Sequence, residues 1–203
     1  IDNRPFESLE DLIFNENIIY SKLNKKALDV LVRAEALEHI RDDRFNNLKH
    51  FWLSVVANRP KSKKKLKELI EEHQGTEDFL RDEYIENAVE LSGLYPFSLV
   101  LDEKTLMRLA HHRVPPISEY DTALQVAWFI PREIIKRKTI NNREYYIVKT
   151  IDKNSAMVDI RCWGVNPNRD KIFLNRPYMV KLDYDEQWGF STRSGLSKWR
   201  LIG

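Results

Sequence analysis

The spacing of apolar residues changes at Thr122, and no other feature of the sequence restricts the fold as strongly. Upstream, Ala27, Leu28, Leu31 and Val32 form one set at helical intervals, and Phe45, Leu48, Phe51, Trp52 and Val55 form another. That period gathers each set on one face of a helix. Downstream, runs rich in Val, Ile, Tyr and Trp occupy 124–135, 143–151, 157–163, 177–182 and 199–202. Asn141-Asn142 and Asp152-Lys153-Asn154 fall between them as turn signals. A helical part followed by a strand-rich part predicts an α+β chain.

Local signals refine this. Ser8-Leu9-Glu10-Asp11 has the spacing of a capping box, with Phe6 ahead of it and Leu12 and Ile13 behind. A second helix is predicted from about Asn24 and a third over 43–57, broken by Arg59-Pro60 because a residue before proline avoids the α region. Five lysines crowd 61–67 with Glu68, Glu71 and Glu72 after them; the stretch reads as a solvated linker entering a helix or as a direct phosphate contact. Further helices are predicted over 76–92, stopping at Gly93, and over 103–111. The expected organisation is a helical region at 1–60, a helical connector at 61–121 and a β domain at 122–203. Five strands, the first interrupted at Pro131, with a compact non-β insert between the third and fourth, follow the plan of a five-stranded OB-fold barrel.

Composition narrows the chemistry. Six glycines offer little material for phosphate-cradling loops, and GxxxxGK[ST], HExxH and CxxC are all missing from the sequence. The single cysteine, Cys162, excludes an intrachain disulfide and fits a reducing cytosol. No apolar run approaches the roughly 18 residues of a membrane span, so a cytoplasmic protein without a membrane partner is expected. Residues 1–121 hold 18 Lys+Arg against 23 Asp+Glu, whereas 122–203 hold 15 against 8. A basic C-terminal part is the footprint of a polyanion site.

Within that part Arg132, Lys136, Arg137, Lys138, Lys149 and Arg161 interleave with Trp128, Tyr145, Tyr146 and Trp163. Single-strand binders combine a cationic groove with aromatic faces on which bases stack. Tyr145 and Tyr146 are adjacent on a strand and point opposite ways, so only one of them can serve as a platform. The stretch 185–197, with Trp188 and Arg193, reads as a loop between the fourth and fifth strands, a common ligand loop of this plan. Asp183-Tyr184-Asp185-Glu186 has the alternation of a metal-binding carboxylate pair, but a polymerase palm needs a further carboxylate on a neighbouring strand of a much larger domain, so the segment reads as a strand-end turn and no metal site is expected.

Three segments carry a family resemblance. Residues 23–37, Leu-Asn-Lys-Lys-Ala-Leu-Asp-Val-Leu-Val-Arg-Ala-Glu-Ala-Leu, resemble part of the helix-hairpin-helix region of bacterial DNA polymerase III alpha subunits, the C-family replicative polymerases also found in phages. Arg4-Pro5-Phe6-Glu7-Ser8-Leu9-Glu10-Asp11-Leu12 is similar to a stretch just before it, and Glu90-Leu91-Ser92-Gly93-Leu94-Tyr95 to the element leading into the OB domain. Order and spacing agree across all three; Glu35 stands where the family usually has glycine. The resemblance implies a partial helix-hairpin-helix followed by the OB domain, with Lys22, Lys25 and Lys26 beside phosphate at the start of a helix. It implies binding of single-stranded template DNA, with the rest of a polymerase chain or other replisome proteins as partners. Nucleotidyl transfer and its Mg2+ would belong to the complete enzyme; no cofactor and no catalytic residue are expected here. A stand-alone single-stranded-DNA-binding protein is the second reading, and an interaction module using Phe51, Trp52 and Trp188 the third.

Overall fold

Side-chain caps start most of the helices. In the computed structural model, which describes residues 6–16, 23–164, 171–193 and 199–202, Ser8 accepts a hydrogen bond from the Asp11 N–H at 3.1 Å and opens α1, Leu9–Phe14. Asn24 caps α2, Lys25–Arg33, by accepting from Ala27 at 2.9 Å. Asn47 caps α3, Leu48–Trp52, and Ser62 caps α4, Lys63–Glu72. Asp102 opens α6, Glu103–His111. In each case the cap satisfies an N–H that the first turn leaves without an intrahelical acceptor.

Two helical expectations change. The helix expected over 43–57 begins only at Leu48, and after Trp52 it widens into a π-helical segment, Leu53–Ala57. The extra residue per turn lets Ser54, Val55 and Val56 all be buried, with Ser54 donating to the Leu69 carbonyl at 3.3 Å. α5, Arg81–Ser92, starts five residues after Thr76. The preceding loop is held to α3 instead: Asn47 donates to the Thr76 carbonyl at 2.7 Å, and Asp78 accepts from the Lys49 N–H at 3.2 Å. After α2 the chain makes a 3-10 turn, Glu38–Ile40, and enters no second α-helix until Leu48. The end of α2 is a Schellman turn: Ala36 donates to the Leu31 carbonyl, Glu35 to the Val32 carbonyl, and Glu35 sits at φ 56°. Glutamate thus takes the left-handed position that glycine occupies at lower cost.

The chain divides into two compact units, up to Leu94 and from Tyr95 onward. In the first, Leu9, Leu28, Val32, Phe51, Val55 and Leu66 form a core, with Phe45 edge-on to Phe51 at 4.8 Å. Phe51 is buried, so it is no surface contact, while Trp52 is partly buried against this core and donates its indole N–H to Asp29 at 2.6 Å.

The second unit is a curled, mixed, seven-stranded sheet in the order β5-β6-β3-β2-β1-β4-β7. β1, Val126–Lys138, runs through Pro131, where its register shifts and its partner changes: Ala127 and Phe129 face Val180 and Tyr178 of β4, Tyr178–Lys181, while Ile134 to Lys138 face β2, Glu144–Ile151. A bulge is where a strand can hold a proline, which has no N–H to give the ladder. β3, Met157–Trp163, continues the meander. It then pairs in parallel with β6, Gly189–Thr192, which pairs antiparallel with β5, Asp183–Asp185. Leu182 alone separates β4 from β5, so the run 178–185 bonds to β1 through its first half and to β6 through its second. β7, Trp199–Leu201, adds to β4 at the edge.

Strand count therefore differs from the five expected. The strand 189–192 lies inside what reads as a loop, and the run at 199–202 is an added edge strand. The division of the chain also falls elsewhere than at 60 and 121. Residues 95–121 pack as part of the sheet unit: Ile117 is in its core, Trp128 donates its N–H to the Pro115 carbonyl at 2.9 Å, and the buried Asp152 accepts from the Ser118 N–H at 2.8 Å. Among the described residues no helix is long and apolar enough to cross a membrane.

Candidate nucleic-acid interface

Strand alternation sorts the basic and aromatic residues onto two faces. Tyr146, Val148, Ile160 and Cys162 point into the core, and burial pushes the Cys162 thiol up to about 12. Their neighbours form rows across the outer face. Arg137 lies opposite Tyr145, which lies opposite Trp163; Ile135, Ile147, Arg161 and Ser191 form the next row; Glu133, Lys149 and Asp159 form a third.

The first row carries a stack. Tyr145 and Trp163 lie 4.6 Å apart with their planes 23° from parallel, and the Arg143 guanidinium stands 5.6 Å from the Trp163 centroid. In the second row Arg161 lies 5.8 Å from the centre of the Trp188 ring. Trp188, 60 % exposed, belongs to the turn between β5 and β6. Hydrogen bonds shape that turn: one Asp185 oxygen accepts from both the Gln187 and Trp188 N–H groups at 2.9 Å, and Gly189 at φ 70° closes it in a conformation that side chains disfavour. Trp188 is thus carried at the head of this turn, with its ring largely exposed.

The other expected contacts sit elsewhere. Tyr146 is a core residue, so Tyr145 is the one of the pair on the outer face. Arg132 is held internally: it hydrogen-bonds to Asn175, itself buried, and covers the Tyr95 ring at 4.5 Å. It packs the sheet unit together and is no free phosphate contact. Lys136 and Lys138 lie on the face opposite Tyr145 and share Glu144, at 2.8 and 4.0 Å. The bond to Glu144 raises the Lys136 ammonium above its ordinary value and lowers the Glu144 carboxyl. Lys149 is on the outer face, but Glu133 holds it at 2.8 Å and raises it likewise. Arg137 is exposed, without a carboxylate partner among the described residues. Arg193 is exposed just after β6. Arg143, which the sequence reading did not single out, joins the site because its place in the β1–β2 turn lets it reach Trp163.

In the helical unit Lys25 and Lys26 are exposed in the first turn of α2, and the Lys25 ammonium donates to the Ala57 carbonyl at 3.5 Å. Lys22 lies outside the described residues. The outer face of β2 and β3, with the Trp188 turn, offers aromatic rings beside guanidinium groups that pair with no carboxylate among the described residues. Such a surface can stack bases and bind phosphates. Compared with known proteins, the chain matches no protein-family model and no curated sequence.

Proposed function

We propose that the sheet unit is an OB-type barrel holding single-stranded DNA on the outer face of β2 and β3, in a non-catalytic part of a C-family replicative polymerase. The observation behind the binding reading is the outer face itself: the Tyr145–Trp163 stack, the exposed Trp188, and Arg137, Arg143 and Arg161 beside them. The barrel reading is supported by the run 178–185, which bonds to β1 and to β6 and so links the two ends of the β1-β2-β3-β6 series. The polymerase reading draws on the three ordered sequence segments, and the hairpin role of α2 on its Schellman turn at Glu35.

Fluorescence anisotropy with labelled oligo-dT tests the binding. Three arginines on phosphates give a log–log salt slope of about −2, so affinity drops about 15-fold between 50 and 200 mM salt. Absence of binding, or binding indifferent to salt, overturns the proposal. The polymerase assignment is tested separately by the reading frame that encodes the chain: a polymerase palm encoded ahead of Ile1 supports it, and a frame without one removes it.

A further inference from the structure

The tip of the β1–β2 hairpin is an apolar point on a cationic arm. The ladder runs to Lys138 opposite Glu144 and is then locked: Thr139 donates to the Arg143 carbonyl at 2.9 Å, Arg143 to the Thr139 hydroxyl at 3.1 Å, and Asn142 to the Thr139 carbonyl at 2.9 Å. Asn142, at φ 58°, takes the left-handed position of the turn, which asparagine tolerates well. The first residue of this closed turn is Ile140, fully exposed. A β-branched residue has no role in making such a turn, where proline or a small polar residue serves better. Over 136–144 four cations, Lys136, Arg137, Lys138 and Arg143, stand against one acid, Glu144. Arg143 connects the tip to the stacked rings by lying over Trp163.

We propose that this hairpin binds the junction where a single strand leaves a duplex, with Ile140 packed against the last base pair as an apolar wedge and Arg137 and Arg143 of the arm on the flanking phosphates. Apolar side chains inserted at a base step serve this purpose because an exposed base face is a large apolar surface that water covers poorly. A membrane could also receive an apolar point among cations, but one isoleucine is too little apolar surface to anchor a protein to a bilayer. The continuity with Trp163 and Tyr145 favours nucleic acid. The inference rests on the single-strand reading above and adds the junction to it.

The test compares a forked duplex, carrying 2-aminopurine in its last pair, with an oligo-dT as long as its free arm, for wild type and Ile140→Ser. Because Ile140 touches no core, the variant keeps its melting temperature. Wild type is expected to change the 2-aminopurine emission, and Ile140→Ser to lose that change and about tenfold in fork affinity, with oligo-dT affinity kept within about twofold. Equal fork binding by wild type and variant overturns the wedge. So does loss of binding to anionic phosphatidylserine vesicles with fork binding intact, which gives the tip to a membrane. Wild-type binding to the fork without binding to oligo-dT removes the single-strand reading and leaves the wedge; binding to neither removes both.

Discussion

Arg33 and Arg44 in the helical unit meet carboxylates, whereas Arg132, Arg143 and Arg161 in the sheet unit lie over rings. Arg33 bonds Asp29 at 2.9 Å and Glu90 at 2.8 Å, tying α2 to α5, and Arg44 bonds Glu10 at 2.6 Å and Asp42 at 2.5 Å. Across the sheet unit Arg132 covers Tyr95, Arg143 covers Trp163 and Arg161 covers Trp188. A carboxylate cancels the charge and fixes two segments together. An aromatic face holds the guanidinium in place and leaves its full charge to an incoming anion. Lys136, Lys138 and Lys149 follow the first pattern, through Glu144 and Glu133, so a count of lysines overstates the charge the sheet leaves open. Composition runs the same way: 15 Lys+Arg against 19 Asp+Glu up to Leu94, and 18 against 12 after it.

This contrast can be broken by substitution. Trp188→Ala is expected to weaken oligo-dT binding about 5- to 150-fold, one base stack being worth roughly 1–3 kcal/mol, with the melting temperature unchanged. A lower melting temperature at undiminished affinity would make Trp188 structural. Arg33→Met should do the reverse. It leaves Asp29 and Asn87 short of a donor and destabilises the chain by about 1–2 kcal/mol in urea unfolding, while anisotropy reads wild-type affinity. Glu35→Gly relieves the left-handed backbone and is expected to raise stability by about 0.5–1 kcal/mol, the steric relief exceeding the entropy that glycine adds to the unfolded chain; no gain in the urea midpoint would mean the turn holds glutamate without strain.

The smallest effect concerns pH. Arg44 holds the Glu10 and Asp42 carboxyls below their usual values through hydrogen bonds. A lowered folded-state value means the contribution is complete above the ordinary carboxylate range and fades as pH falls through the folded values. Arg44→Met should therefore lose a few tenths of a kcal/mol at pH 6 and less at pH 3. An equal loss at both values would show that Arg44 acts by packing on Phe45, 6.0 Å away, and not by charge.

Caps and turns were open to reading because they are local: Ser8, Asn24 and Asp102 start helices through atoms three residues away. The meander β1 to β3 was equally plain, since Asn141-Asn142 and Asp152 mark its turns and apolar alternation fills its strands. The strand 189–192 was not. Gly-Phe-Ser-Thr is too short to display a period, and its pairing with β5 and with β3, thirty residues earlier, makes it a strand. The π segment at 53–57 and the late start of α5 likewise depend on contacts with other helices, α4 for the first and the start of α3 for the second. Within the site, adjacency separated Tyr145 from Tyr146 but could not say which faced out. Arg132 reads as a phosphate contact until the buried Asn175, brought to it by the fold, takes its guanidinium.

Leu182 is the pivot between β4 and β5: its N–H donates to the Gln125 carbonyl at 2.9 Å and its carbonyl accepts from the Tyr120 phenol at 2.7 Å. The ladders on either side of it share one piece of chain, so neither half of the curl can open while this residue stays docked. Amide hydrogen exchange should find the N–H groups of β4 and β6 slow together and released together, as one cooperative unit. A ligand gripping the Trp188 turn would then tighten a ladder on the far side of the sheet without touching it.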